Sequence, residues 1–348
     1  MPPIGPIAFL GSGETSLAGG RIFENLAKQI PAPLRIAILE TPAGFELNSA
    51  QVAGRIADFL KTRLANYKPQ IDIIPARKKN SSYSPDDPEI VAPLLSANLI
   101  FMGPGSPTYA IRQLQGSLAW ELVRARQRMG ATLIFASAAT IAIGHTGLPV
   151  YEIYKVGMDV HTVPGLNFFG DFGVPLSFIP HWNNAEGGTD LDTSRCFMGL
   201  ERFSEWCAQL PEDHTTLGLD EHTGIIFDFG KRTCTIMGVS SVSLVRTCNP
   251  VIYPAGSVFS LDEIGRFDAL ADPATGISPE AWALAQTAPP LAPVMEEVPS
   301  PEVTALADAR QQARSRRDWA AADQYRHQLL ALGWTVQDTP TGPKLTRN

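Results

Sequence analysis

Ser137 is the residue of this sequence most plainly placed to do chemistry. It follows the apolar run Ala131-Thr132-Leu133-Ile134-Phe135-Ala136 and precedes Ala138-Ala139-Thr140 and a second apolar run, Ile141-Ala142-Ile143. The pattern predicts a strand, a sharp turn and the start of a helix with Ser137 at the turn, the arrangement called a nucleophile elbow. There the hydroxyl stands above the end of a sheet, where it can attack a carbonyl carbon. The usual elbow has glycine two residues to each side of the serine; here those positions hold Phe135 and Ala139. The competing expectation is a plain helix N-cap, in which the Ser137 hydroxyl accepts from a backbone N–H and does no chemistry.

A serine nucleophile needs a base and an acid that orients the base. His181 is the best candidate base, because Phe178-Ile179 before it reads as a strand end and Pro180 and Trp182 flank it. His145 falls on the helix after the elbow, and His161, His214 and His222 lie in less defined loops. In Leu217-Gly218-Leu219-Asp220-Glu221-His222-Thr223-Gly224 a strand ends in two carboxylates and another strand follows at once. Either carboxylate there could hold the imidazole in the correct tautomer and stabilise its cation. An oxyanion hole needs backbone N–H donors. The N–H of Ala138 is one, and the loop Gly103-Pro104-Gly105-Ser106 offers a second. Pro104 has no N–H, so Gly105 is the expected donor, with Gly103 and Ser106 as alternatives.

These groups meet only if the chain between them folds as alternating strands and helices. Apolar runs at residues 7–10, 34–39, 71–75, 99–102 and 131–135 read as strands. Helical patterns follow them through Ile22 and Leu26, from Ser49 to Tyr67, from Pro88 to Ala97, and through Tyr109, Leu114 and Leu118. This is an α/β pattern with a mainly parallel sheet covered on both faces. Ligands in such folds sit beyond the carboxyl ends of the strands. The loops Gly11–Thr15, Glu40–Gly44, Gly103–Pro107 and Ser137 should therefore converge at one end of one sheet. The first of these can present N–H groups to an anion. Gly13, Glu14 and Ser106 are the expected substrate-binding positions, and Arg112 and Arg195 are candidates to receive a substrate carboxylate. After the elbow the pattern turns towards β, with short strands expected at residues 150–156, 178–179, 216–219, 224–229 and 233–239. Residues 194–209 read as an amphipathic helix through Phe197, Leu200 and Trp206.

The 348 residues exceed a single core of roughly 250–300, which predicts one large domain with an appendage. A first domain is expected over residues 1–270, a linker rich in Ala and Pro over 271–301, and a helical module over 302–348. The net charge of −7 implies no general affinity for nucleic acid or anionic membranes. The tail departs from this: residues 300–348 hold seven Lys/Arg and five Asp/Glu, leaving about −9 on the rest. No apolar run approaches the roughly 20 residues that span a bilayer, and the opening Met1-Pro2-Pro3 lacks a basic signal region, so a cytoplasmic location is expected. Cys196, Cys207, Cys234 and Cys248 form no C-x-x-C pair, and neither a zinc site nor a disulfide framework is expected.

With these loops in this order, the region from about Ile7 to Arg246 resembles the cyanophycinase and alpha-aspartyl dipeptidase (peptidase E) family, serine peptidases on the class I glutamine amidotransferase-like fold. The resemblance rests on Gly11-Ser12-Gly13-Glu14, Gly103-Pro104-Gly105-Ser106, Ser137-Ala138-Ala139, Gly165-Leu166, His181 and Leu219-Asp220-Glu221-His222-Thr223. It implies a triad of Ser137, His181 and Glu221, a peptide or small amide substrate, and no cofactor and no metal. Phe135 and the Gly-Pro-Gly-Ser loop depart from the family pattern. A glutamine-hydrolysing centre of this fold uses cysteine, which Ser137 replaces.

The tail carries a second resemblance. Arg310, Ala313-Arg314, Asp318-Trp319, Ala322-Asp323, Arg326, Leu329, Leu332-Gly333-Trp334 and Asp338-Thr339-Pro340-x-Gly342 resemble the C-terminal end of cysteinyl-tRNA synthetase. That implies a helical hairpin, with Arg310, Arg314, Arg317 and Arg326 as candidate contacts to tRNA. No zinc-ligand cysteines or nucleotide motifs of a synthetase catalytic domain are present, so aminoacylation is not expected. Two readings follow: a serine hydrolase of peptidase type carrying an RNA-binding module, or an amidotransferase-like domain without catalysis that binds RNA or protein. The oligomeric state is open, with a dimer as one expectation.

Overall fold

The computed structural model describes residues 4–287, 299–339 and 342–347. The chain forms two compact units, residues 1–292 and 293–348.

Five parallel strands make the centre of the larger unit: β1 (Ile7–Leu10), β2 (Arg35–Leu39), β3 (Gln70–Ile74), β4 (Leu99–Met102) and β5 (Thr132–Ala136). Helices α1 (Leu17–Ala27), α2 (Ser49–Arg63), the short α3 (Pro88–Val91), α4 (Pro107–Leu114) and α5 (Leu118–Arg128) connect them. The short helix α6 (Ala138–Ala142) follows β5. Strand side chains alternate between faces, and here both faces are buried. Leu10, Ile38, Phe101 and Ile134 pack with Ile22 and Phe23 of α1 and Ile56 and Leu60 of α2. Phe9, Leu39, Met102 and Phe135 belong to the opposite core, with Leu122 and Val123 of α5.

Beyond the parallel strands the chain builds a second sheet. Two-residue strands β6 (Thr146–Gly147) and β7 (Val163–Pro164) pair around α7 (Val150–Tyr154). Strand β8 (Leu176–Ile179), the single turn α8 (Ser194–Phe197), α9 (Gly199–Cys207) and β9 (Thr215–Leu219) come next. Then β10 (Thr223–Asp228) and β11 (Thr233–Gly238) run antiparallel onto the edge of β1, and β14 (Val258–Ser260) ends that side in the order β14-β11-β10-β1-β5-β4-β2-β3. Strands β12 (Ser241–Arg246) and β13 (Asn249–Pro254) complete the other sheet, ordered β13-β12-β9-β8. The sheets meet through aromatic rings: Phe9 of β1 stacks on Phe178 of β8 at 4.3 Å between centroids.

Four expectations are corrected. The segment through Tyr109, Leu114 and Leu118 is two helices, because Gly116 is left-handed (φ 64°) and Ser117 caps a new start through the Trp120 N–H. Residues 150–154 are helix rather than strand: Val150 and Ile153, three apart, are the buried pair. The helix expected from Ser194 begins only at Gly199, since Arg195, Cys196 and Phe197 have φ of 59°, 60° and 65°. Their backbone is drawn into that turn by hydrogen bonds from Arg195 N–H to Trp182 O (2.9 Å) and Cys196 N–H to His181 O (3.1 Å). Leu200, expected on the buried face, is 55% exposed. Finally, the segment expected as linker contains α10 (Pro279–Gln286), which packs on α5 and whose cap residue Ser278 donates to Glu121. The remaining linker residues 288–298, with Pro289-Pro290 and Pro293, lie outside the described residues.

The smaller unit has α11 (Pro301–Ser315) and α12 (Trp319–Ala331), as the sequence predicts, with Asp318 accepting from Ala321 N–H at 3.1 Å and Gly333 left-handed at φ 78° after the helix. It also has a β-hairpin that was not expected, β15 (Trp334–Thr339) with β16 (Gly342–Arg347). Trp334 shares a core with Val303, Ala307 and Leu329 of the helices. Pro340 and Thr341 of the tail motif lie outside the described residues.

Candidate active site

Ser137 sits between β5 and α6 with φ 51° and ψ −118°. A non-glycine residue held there costs on the order of 1–3 kcal/mol. The Ser137 N–H donates to Leu10 O at 3.2 Å, and the Ala139 N–H donates to Gly103 O at 3.3 Å, which ties the turn to two neighbouring loops. The side chain makes no capping bond. Its Oγ lies 2.9 Å from His181 Nε2 instead, which decides against the N-cap expectation. Ser137 is half-buried, and the Phe135 ring is fully buried, 6.0 Å from Phe9 and 6.5 Å from Trp120 between centroids.

His181 follows β8 at φ 50°. Its N–H donates to Gly11 O (3.3 Å) and the Trp182 N–H to Leu219 O (3.0 Å). His181 Nδ1 is 3.0 Å from Glu221 Oε1. A Nδ1–H donated to that carboxylate leaves the Nε2 lone pair facing the hydroxyl proton of Ser137. The two carboxylates at the end of β9 are thereby told apart. Asp220 is 4% exposed and its Oδ2 accepts from Ser240 Oγ (2.6 Å), Ser241 Oγ (2.7 Å) and Ser241 N–H (3.1 Å), so it fastens the turn. Glu221 alone of the pair reaches the imidazole. Burial pushes the Glu221 carboxyl up, but hydrogen bonds from His181 and Asn184, with the electrostatic influence of His181 and His222, outweigh it and hold the group below its ordinary range.

Sequence reasoning missed the groups that fix Glu221. Asn184 is buried, and its Nδ2 donates to Glu221 Oε1 at 3.0 Å, the same oxygen that faces His181. Asn183 Oδ1 accepts the Glu221 N–H at 2.8 Å. Nothing in the spacing of Asn183 and Asn184 marks them, because the contact forms only when the loop after β8 folds over the end of β9. The three groups come from two sheets. Ser137 follows a strand of the large sheet, whereas His181 and Glu221 follow β8 and β9 of the second.

The Gly-rich loop joins the two sheets. A Cβ on Gly11 would lie 2.2 Å from Asp220 O, and one on Gly13 (φ 73°) 2.2 Å from His222 Nδ1. Ser12 Oγ accepts the His222 N–H at 3.2 Å. Glu14 is half-buried beside them. In the facing loop Gly105 (φ 144°) passes so near Pro42 that a Cβ would meet its carbonyl at 2.0 Å. The Ser106 N–H is taken by Pro42 O (2.9 Å), and Ser106 Oγ accepts from the Tyr109 N–H (3.2 Å). The N–H groups of Gly105 and Ala138 have no acceptor among the described residues. Arg195 is spread over the Trp182 ring at 3.9 Å and donates to Trp182 O at 3.1 Å, next to His181 in the chain. Arg112 is exposed, with its guanidinium 5.3 Å over Tyr109, and no contact brings it to Ser137 or His181. Among the described residues no cluster of three or more His, Cys, Asp or Glu is arranged to hold a metal ion, and no helix is long and apolar enough to cross a membrane.

In the smaller unit the four candidate arginines are not alike. Arg310 is 5% exposed, so its guanidinium does not face solvent as the RNA expectation requires. Arg314 lies 5.6 Å over the exposed ring of Trp319. Arg317 is exposed in the left-handed turn between the helices (φ 62°), and Arg326 pairs with Asp323 at 3.3 Å.

Residues 299–342 match the family model of the cysteinyl-tRNA ligase anticodon binding domain. Curated relatives agree over this stretch: a cysteine–tRNA ligase of Lactobacillus helveticus is 47% identical over 47 residues, 14% of this chain and 10% of the relative. Cysteine–tRNA ligase 1 of Burkholderia lata is 49% identical over 53 residues, 15% of this chain and 11% of the relative. The chain thus spans about a tenth of the length of these relatives. The larger unit has a neighbour among solved structures, a peptidase from an acI-B1 Actinobacterium, with a TM-score of 0.59 and 20% identity over 74% of this chain and 97% of that one. At that identity the likeness establishes the fold.

Proposed function

We propose that the larger unit is a serine hydrolase that cleaves peptide or small amide bonds. One observation carries this reading: Ser137 Oγ, both nitrogens of His181 and Glu221 Oε1 form a chain of contacts of 2.9 and 3.0 Å at a strained strand-to-helix turn. In the proposed reaction His181 Nε2 takes the Ser137 proton as Oγ attacks the carbonyl carbon. The imidazolium then gives that proton to the leaving amine. Glu221 stays ionised and steadies the cation. The Ala138 and Gly105 N–H groups are the proposed donors to the developing oxyanion. Gly13 and Glu14 of the Gly-rich loop are assigned to substrate contact, and Arg195 to a substrate carboxylate at the rim; the Ser106 hydroxyl is engaged by the Tyr109 N–H and Arg112 lies over the Tyr109 ring. The test is hydrolysis of a dipeptide library by the full chain, with and without Ser137→Ala. Cleavage that the substitution abolishes supports the reading, and cleavage that survives it refutes the assignment of the nucleophile.

The match over residues 299–342 favours a second role, in which the smaller unit binds tRNA. Arg314, Arg316, Arg317 and the exposed Trp319 gather at its helix–helix turn and offer cations for phosphate and a ring for a base. Filter binding of the full chain to tRNA tests it: affinity that falls with salt and is weakened by Trp319→Ala with Arg317→Ala supports the role. Retention unaffected by both substitutions would contradict it. A cytoplasmic location and a dimer remain proposals of the same rank, tested by fractionation and by sedimentation.

A further inference from the structure

Helix α4 starts directly after the loop that carries Gly105, and its first turn holds a second hydroxyl, that of Thr108. Thr108 Oγ1 donates to Glu152 Oε1 at 2.6 Å, and Ser106 Oγ lies 3.1 Å from Thr108 Oγ1. A threonine hydroxyl has a single hydrogen to give. Thr108 gives it to the carboxylate, so the Ser106 hydroxyl must be the donor to Thr108. The three side chains form a directed chain from Ser106 through Thr108 to Glu152. Ser106 Oγ also accepts the Tyr109 N–H at 3.2 Å, and the Ser106 N–H donates to Pro42 O at 2.9 Å. The hydroxyl and the N–H of Ser106 are both committed within the protein.

Glu152 ends this chain. It lies on α7, where Val150 and Ile153 are buried in one cluster with Ile141 of α6 and with Ile179 and Trp182, which flank the His181 turn. The chain therefore ties the loop of Gly105 to the packed cluster that seats the helix after Ser137 and the turn of His181. Glu152 Oε2 is buried and has no hydrogen-bond partner among the described residues. Burying a carboxylate oxygen unpaired costs stability, so stability alone does not account for Glu152.

On the serine-hydrolase reading, on which this rests, we propose that Thr108 and Glu152 are positioning residues that aim the Gly105 N–H at the oxyanion by fixing Ser106. Gly105, at φ 144°, has no side chain that could lock it. The direction of its N–H is inherited from its neighbours: Pro104, whose ring fixes φ, and Ser106, which the chain of hydroxyls holds. A donor to a developing charge works only where it is held in place before the reaction.

The experiment measures fluorophosphonate labelling of Ser137 in the full chain, as a maximal rate and a half-saturating concentration, together with hydrogen exchange of residues 103–109. Thr108→Val keeps the shape and removes the hydroxyl, Thr108→Ser keeps the hydroxyl, and Glu152→Ala removes the acceptor. Thr108→Val and Glu152→Ala should each lower the maximal rate about tenfold, with the half-saturating concentration unchanged and faster exchange at residues 103–109. The double variant should be no slower than the slower single one, because both break the same chain. Thr108→Ser should label at the wild-type rate. Wild-type labelling in Thr108→Val, or equal impairment in Thr108→Val and Thr108→Ser, would overturn the proposal and leave the hydrolase reading intact. A wild-type chain that is not labelled at Ser137 would overturn the hydrolase reading and the proposal with it. If Glu152→Ala does not fold, the two Thr108 variants decide the matter between them.

Discussion

Replacing Asn184 by alanine should slow the reaction of Ser137 and move its acid limb, without removing any of the three proposed catalytic groups. Asn184 Nδ2 donates to Glu221 Oε1 at 3.0 Å, the oxygen that also faces His181 Nδ1 at 3.0 Å. A hydrogen bond to a charged group contributes about 1.5–3 kcal/mol. The Glu221 side chain is 30% exposed, so water will replace part of the loss, and about 1–1.5 kcal/mol is the reasonable share. At 1.4 kcal/mol per tenfold, the rate should fall by about 5- to 12-fold near neutral pH. Glu221 is held below its ordinary pKa partly by this bond. Without it the carboxyl protonates at higher pH, so the acid limb should move upward. The assay is the second-order rate of labelling by a fluorophosphonate, measured from about pH 4 to about pH 9, with thermal unfolding as a control for folding. A variant that labels at the wild-type rate with an unmoved acid limb would refute the claim that Asn184 positions Glu221.

Other predictions concern the frame around the site. Gly105→Ala puts a Cβ 2.0 Å from Pro42 O at φ 144°, so the loop and its proposed oxyanion donor must shift: labelling of Ser137 should drop by about 100-fold or more, and the unfolding temperature should fall with it. His214 is 3% exposed with neither ring nitrogen hydrogen-bonded, beside His145 and Asp213, and burial first, then His145, depress it from 6.5 to about 4. Its neutral form is what the fold accommodates, so this stability is complete above pH ~6.5 and is lost as pH falls towards ~4, up to about 3 kcal/mol. Urea midpoints at both ends of that window should converge in His214→Phe; an unchanged pH dependence would count against it. Asp171→Ala strips the buried Arg128 of its 2.9 Å partner and should destabilise by about 3–5 kcal/mol, read from denaturant unfolding. A loss under 1 kcal/mol would mean that water reaches the guanidinium.

The parallel half of the fold was legible because its strands are buried on both faces. Residues 7–10 and 99–102 came out of continuous apolar runs with their ends correct. The second half was harder for a physical reason. Strands β12 and β13 alternate weakly, and β13 is largely exposed, so no apolar run announces them. The helix at 150–154 is too short for periodicity to separate from a strand, and the left-handed turn at 195–197 is imposed by hydrogen bonds to the His181 segment rather than by glycine. At the site, the turn at Ser137 and the strand end before His181 were readable as positions. The residues alone left Asp220 and Glu221 open and only the resemblance singled out Glu221, because what separates them is Ser240 and Ser241, which engage Asp220 across the sheet. The Asn184–Glu221 contact depends on loops meeting in space, which one-dimensional spacing does not encode.

The most direct measurement is labelling of the intact chain with a fluorophosphonate and mapping of the adduct by mass spectrometry. An adduct on Ser137 that disappears in Ser137→Ala and slows strongly in His181→Ala and Glu221→Gln is the predicted result. An unlabelled protein, or an adduct on another residue that persists in Ser137→Ala, would contradict the assignment of Ser137 as an activated nucleophile.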